Sequence, residues 1–237
     1  MRIIFTIVST IHRAKVVSND RVTEGQYFLT LEVPPQALAE HRWPSQYVEF
    51  HLPEIEPWHG TIANRPGQDH FEFLVKDKGG RSYSVAMLNP GDEIGISEPK
   101  GEGLPLLANR NHNIILCATG VAICAMRPVI QDVMLNRSDW KRVWLFYGER
   151  HADLFAFGEE RERWRESKIE TFLVASRPHE GTYWKGLTGY IQDHYSGIEL
   201  NMKETVAFLA GIDAMIEDFT DVLLRAGMRP NQVFLNT

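Results

Sequence analysis

The sequence predicts an N-terminal antiparallel β-barrel followed by an α/β unit on a parallel sheet. Three observations predict it. Up to about Leu107, short runs such as YFLTLEV and YVEFHL alternate apolar and polar residues, as half-buried strands do. From about Asn111, runs such as NIILCA and RVWLFYG are continuously apolar, the pattern of strands covered on both faces. Between those later runs lie segments of helical spacing, so strands and helices alternate and the sheet they build is parallel.

Each element follows in order. MRIIFTIVST reads as a first strand and not a signal peptide, because its apolar run is short and lacks a cleavage pattern. YFLTLEV, YVEFHL and FEFLVK are the next strands, and DEIGIS follows the NPGD turn. PLLANRNH is the expected linker, with the boundary between units 1–108 and 109–237 near Ala108 to Asn113. Beyond it NIILCA, RVWLFYG, IETFLVAS, TVAFLAG and QVFLN are expected parallel strands. FGEERERWRES and DAMIEDFTDVLLRAG are expected helices, the first with a solvated charged face and Trp164 as its inward anchor.

Bulk properties exclude several classes. Hydrophobic content of 43% and charged content of 24% belong to a globular chain with real cores. A net charge of −6, without a basic block, argues against a nucleic-acid surface. The two cysteines, Cys117 and Cys124, are too few for a disulfide framework, and no Cys/His cluster reads as a zinc or iron–sulfur site. No run approaches the roughly 20 apolar residues that span a bilayer, so a cytoplasmic protein is expected. Nine histidines are scattered without a metalloprotease helix or a triad context.

The chemistry is expected at strand ends. In open α/β sheets ligands bind beyond the carboxyl ends of the strands, where glycine lets a ligand approach the backbone. Four ends carry suggestive residues: Thr119-Gly120, Tyr147-Gly148, Ser176-Arg177 and Gly211. Amides after such glycines can meet phosphate oxygens without any side chain.

At these residues the chain resembles the ferredoxin–NADP reductase family, over nearly its whole length. PSQYVEF is similar to that family's Pro-Gly-Gln-Tyr-Val strand, and RSYSVAMLNPGDEIGISEPKGEG to its Ser-x-x-Leu, Gly-Asp and Gly-Pro-x-Gly succession. LFYGERHADLFAF resembles the Tyr-Gly-x-Arg and Asp-Leu segment, and AGIDAMIEDFTDVLLRAGMRPNQVFLN the final Cys-Gly-x-x-x-Met helix and last strand. The resemblance implies a Greek-key FAD-binding barrel and a Rossmann-like NAD(P)-binding domain. It implies that Thr61, Ile62, Ala63, Asn64, Leu74 and Val75 line the flavin, with Ser82 near the pyrophosphate. It also places Ser176 and Arg177 where relatives hold the adenosine 2′-phosphate, Tyr190 near the adenosine, and Gly211 and Met215 at the nicotinamide side.

Three departures accompany it. The family's flavin signature, Arg-x-Tyr-Ser/Thr, is WHGT here, so the arginine has become Trp58 and the tyrosine Gly60, while Thr61 remains. Trp58 either stacks on flavin or packs the barrel. The family's Gly-Gly-Thr-Gly-Ile-Ala-Pro, aligned without a gap, falls on Thr119, Gly120, Val121, Ala122, Ile123, Cys124 and Ala125. Arg127 after it is expected as a solvated helix residue, with Pro128 in the first turn. Ala210 stands where the family often has a cysteine. The resemblance implies an NAD(P)H-dependent flavin oxidoreductase that passes electrons through FAD to an unidentified acceptor. An iron–sulfur centre, if used, is expected on a partner, because the chain stops after the last strand. The alternative is a catalytically weakened nucleotide-binding or partner-binding module on the same fold, to which the departures point.

Overall fold

The computed structural model describes residues 10–179, 183–197 and 200–236. The strand expected in MRIIFTIVST falls on residues 1–9, outside the described residues. The first six strands are β1 (Ile11–Thr23), β2 (Gln26–Glu32), β3 (Tyr47–His51), β4 (Trp58–Thr61), β5 (His70–Lys76) and β6 (Glu93–Ser97). They form one antiparallel sheet in the order β4-β3-β6-β1-β2-β5. The sheet is barrel-like, for its ends approach each other: the Ala63 N–H, just past β4, donates to the Glu72 carbonyl of β5 at 2.7 Å. Alternation turns Leu29, Leu31, Phe50, Phe71, Phe73, Ile94 and Ile96 into the shared core. The long β1 escapes the sequence reading because only Ala14 and Val16 of IHRAKVVSNDRVT are buried. Two short helices, α1 (Pro35–Glu40) and α2 (Gly80–Ala86), interrupt the strands.

The second sheet is parallel. Its strands are β7 (Asn113–Thr119), β8 (Val143–Glu149), β9 (Ile169–Ala175), β10 (Leu187–Thr188), β11 (Thr205–Ala210) and β12 (Val233–Leu235), in the order β10-β9-β8-β7-β11-β12. Every residue of β8 and β11 is buried, which explains their unbroken apolar runs. Helices α3 (Ile123–Leu135) and α4 (Gly158–Glu166) share a core with one face of this sheet, and Trp164 is 1% exposed within it. Helix α5 (Asp213–Arg225) covers the other face through Met215, Ile216, Phe219 and Leu223. Strand order reverses at β7, where the next strand runs to the opposite side; such a switch point opens a crevice at the strands' carboxyl ends.

Two expectations about α3 are corrected. Pro128 lies inside the helix and not in its first turn, because the chain enters α3 directly from a 3-10 turn at Gly120–Ala122. Arg127 is not solvated but 5% exposed. Its Nε and Nη2 donate to both carboxylate oxygens of Glu160 at 2.8 Å, and Nη1 donates to the Ala63 carbonyl at 2.8 Å and to Glu72. Phe28 and Phe157 flank the guanidinium, each ring centroid 5.1 Å away. Glu72 and Ala63 belong to the first sheet's unit and Glu160 to α4, so one arginine fastens the two units together. Its five donors and two carboxylates offset the desolvation that would otherwise keep an arginine at the surface.

Candidate functional site

Two clefts adjoin at the junction of the sheets. The larger, of about 800 Å³, lies over the carboxyl ends of β7, β8, β9 and β11. Thr119, Gly120, Gly148, Ser176, Arg177 and Gly211 all line it, so the four strand ends converge on one space. Tyr190 and Met215 line it as well.

Backbone needs explain the glycines here. Gly120 has φ of +60° with nothing within 4 Å of where a Cβ would stand, so its freedom serves the turn from β7 toward α3. Gly211 is more tightly constrained: a Cβ would come 2.1 Å from Thr119 Oγ1 and 2.6 Å from Met215 Cε. Its neighbour Ile212 donates its N–H to Thr119 Oγ1 at 3.3 Å, which ties the end of β11 to that of β7. At the β9 end, the Arg177 N–H donates to the Arg150 carbonyl at 2.7 Å, and its own carbonyl meets His151 Nδ1. The backbone is thus held, while the Arg177 guanidinium has no hydrogen-bond or ion-pair partner among the described residues. Arg150, also exposed, lines the same cleft.

The smaller cleft, of about 430 Å³, lies between the barrel and the start of α3. Trp58, Thr61, Leu74 and Ser82 line it on the barrel side, and Val121, Ala122 and Cys124 on the other. Lys76 and Lys78, at the end of β5, line both clefts. Ser82 Oγ accepts from the Lys78 N–H at 2.9 Å and donates to the Gly79 carbonyl at 3.1 Å, so it also shapes the turn that carries Lys78.

Several expected residues reach neither cleft. Ile62, Ala63 and Asn64 are 0% exposed, and Val75 is 1% exposed. Ile62 and Val75 belong to the barrel core. Asn64 holds the connection between β4 and β5, with Nδ2 donating to the His70 carbonyl at 2.8 Å and Oδ1 accepting from the Glu72 N–H at 2.9 Å. Tyr147 is likewise fully buried; its hydroxyl accepts from the Ala156 N–H and donates to Glu149, both at 3.3 Å. Only its neighbour Gly148 faces the cleft. In the degenerate signature, Trp58 stacks on Phe50 with centroids 5.6 Å apart and planes 21° apart. A Cβ on Gly60 would stand 2.3 Å from that same phenyl ring, so Phe50 fills the space a larger side chain would need.

The sequence reading missed Lys76, Lys78, Arg81, Glu149 and Arg150, all of which line one cleft or both. For Lys76 and Lys78 the only sequence signal is basic residues at a strand end before Gly79-Gly80, a pattern shared with ordinary surface turns, while Arg81, Glu149 and Arg150 lie within segments quoted above for the resemblance. Glu149 is 7% exposed. Burial raises its carboxyl above the usual range, against hydrogen bonds from Gln26 and Tyr147 and the charge of Lys76. Cys124 is buried and unpaired, and burial pushes its thiol up to about 12, so it is inert. Chemically, the clefts offer four converging strand ends, a cluster of cations and an apolar wall. That donor set suits two adjoining anionic nucleotides with flat ring systems, and it contains no nucleophile activated by a base.

Comparison with known proteins agrees with this geometry. The sequence profile of the oxidoreductase NAD-binding domain matches residues 116–221. The gamma subunit of sulfhydrogenase 1 from Pyrococcus furiosus is 25% identical over 230 residues, spanning 95% of this chain and 78% of that protein. NADH-cytochrome b5 reductase 1 from Kluyveromyces lactis is 33% identical over 137 residues, 55% of this chain and 47% of its own. Among solved structures, a ferredoxin NADP+ reductase from Neisseria gonorrhoeae with bound FAD and NADP superposes with a TM-score of 0.80 at 17% identity, covering 95% of this chain and 97% of that one. No helix among the described residues is long and apolar enough to cross a membrane.

Proposed function

This chain belongs to the ferredoxin–NADP reductase-like family, and we propose that it is an NAD(P)H-dependent flavin oxidoreductase passing electrons to a separate acceptor. In this reading FAD binding is assigned to the unit expected over residues 1–108 and NAD(P) binding to that expected over residues 109–237. The observation that carries the reading is the adjacency of the two clefts, with Lys76 and Lys78 common to both. Two nucleotides held there lie side by side, as hydride transfer between their rings requires.

FAD, when bound, supplies the redox chemistry, accepting a hydride and releasing electrons singly. The chain's own residues bind and orient. In the smaller cleft Thr61 and Leu74 form the barrel wall, and Val121 and Ala122 the facing one. In the larger, the backbone at Thr119 and Gly120 is open to the NAD(P)H phosphates, Gly148 lines the space beside them, and Gly211 keeps the floor free of any side chain. Ser176 and Arg177 face the adenosine end, and Tyr190 offers an exposed ring beside it. The free Arg177 guanidinium, joined by Arg150, supports a preference for NADPH, because only the 2′-phosphate adds a charge for it to meet.

The acceptor class is a one-electron carrier, an iron–sulfur protein or a partner subunit; the subunit status of the sulfhydrogenase relative supports it. Two unpaired cysteines suit the reducing cytoplasm. One observation favours the alternative of a binding module: Trp58 stacks on Phe50 and that ring fills the space beside Gly60, so β4 supplies neither the arginine nor the tyrosine of the flavin signature. Titrating the apoprotein with FAD separates the readings. Saturable binding, with a yellow protein on native purification, is the expected result. An absence of binding at high micromolar FAD favours the module.

A further inference from the structure

The β4 strand brings neither arginine nor lysine to the smaller cleft, since the signature arginine is Trp58, its indole lies on Phe50, and the neighbouring His59 faces Glu49 at 3.5 Å. A dinucleotide's diphosphate is doubly charged and needs one. Across the same cleft, the end of β5, the turn after it and the start of α2 bring three: Lys76, Lys78 and Arg81. Lys76 and Lys78 are two residues apart, so both project to the cleft side, while Asp77 between them accepts from the Gly79 N–H at 2.8 Å and lines neither cleft. Neither lysine has a carboxylate within 4.0 Å among the described residues; Glu149 acts on Lys76 only at longer range. Arg81 Nη1 donates to the Pro57 carbonyl at 3.3 Å, which anchors it beside Trp58 and leaves its other donors free. Three cations gathered on a chain of net charge −6 repel one another unless an anion joins them.

We infer that Lys76 and Lys78, with Arg81, form a relocated diphosphate clamp that takes over from the missing arginine and selects FAD over flavins without a diphosphate. The inference rests on the flavin reading above. The clamp belongs to FAD and not to NADPH, because Arg81 and Ser82 line the smaller cleft alone, while Arg150 and Arg177 already serve the larger. Lysines suit the task here: as flexible point charges they need no planar fork seated on a strand.

The test titrates FAD, riboflavin and NADPH into three apoproteins: wild type, the double variant Lys76→Gln/Lys78→Gln, and the double variant Lys76→Arg/Lys78→Arg. Wild type is expected to bind FAD more tightly than riboflavin, with FAD affinity alone falling as salt rises. The glutamine variant should lose about ten- to hundred-fold in FAD affinity and little for riboflavin, and the arginine variant should keep most of it. Equal losses for FAD and riboflavin, or a larger loss for NADPH than for FAD, would overturn the clamp. So would a wild type that binds FAD and riboflavin alike, although flavin binding itself would then stand. A wild type that binds neither flavin removes the flavin reading and the clamp together. Should the glutamine variant not fold, wild-type salt dependence and the arginine variant still decide.

Discussion

The two clefts share Lys76 and Lys78 but are built on different principles. The larger gathers four strand ends, where Gly120 and Gly211 give the chain its turns, and adds side chains such as Arg150, Arg177 and Tyr190. Val121 and Ala122 line both clefts at the start of α3. The smaller cleft depends on side chains from a barrel strand, and there Trp58 both lines the space and stacks on Phe50.

The sharpest way to break this comparison is to loosen the junction that holds the clefts side by side. Arg127→Ala leaves Glu72 and Glu160 without their buried partner and should cost about 3–5 kcal/mol of stability. Chemical denaturation checks the stability, and the same variant should lose flavin reduction by NADPH beyond any loss in binding either nucleotide. Unchanged stability would mean that the fastening is elsewhere.

Acid should attack the barrel side. His41 is 5% exposed, edge-on to Phe71 at 5.3 Å, and its Nε2 has no hydrogen-bond partner. Burial lowers its pKa from 6.5 to about 4, so it folds as the neutral form. Above the unfolded value neither state is charged and His41 contributes nothing to the pH dependence. As pH falls from 6.5 to about 4 the unfolded chain takes up a proton that the folded chain refuses, so stability declines. The decline should reach at most about 3 kcal/mol, and His41→Gln should flatten it in melting curves across that range.

Arg177→Ala sharpens the picture of the larger cleft. NADPH affinity should fall about ten- to hundred-fold, equivalent to about 1.5–3 kcal/mol, with NADH affinity little changed. Equal losses for both nucleotides would make Arg177 structural. Gly211→Ala is the smaller change and tests the backbone principle itself. The new Cβ meets Thr119 Oγ1, and moving the two strand ends apart should cost about 1–3 kcal/mol. NADPH binding should weaken while FAD binding stays near wild type.

Much of the fold was legible because periodicity is local: alternating runs became β2, β3, β5 and β6, and continuous ones the parallel strands. Strand β1 was not, since two buried residues in a long polar stretch leave no period to read. The glycine-bearing strand ends were legible for the same local reason. Arg127 was not, because its burial depends on Glu72 and Glu160, both far from it in sequence. Trp58 was readable only as an aromatic with two possible faces; one of them meets Phe50, and the residue also lines the smaller cleft. Lys76 and Lys78 look like any turn lysines until folding brings α3 and the strand ends against them.

The measurement that tests the central claim most directly is anaerobic mixing of FAD-loaded protein with NADPH, followed by flavin absorbance. Adjoining clefts that hold the two rings together predict saturable bleaching, with an NADPH dependence that Arg177→Ala shifts to higher concentration. A protein that binds both nucleotides yet shows no bleaching would contradict the account, for the clefts would then be neighbours without a shared reaction.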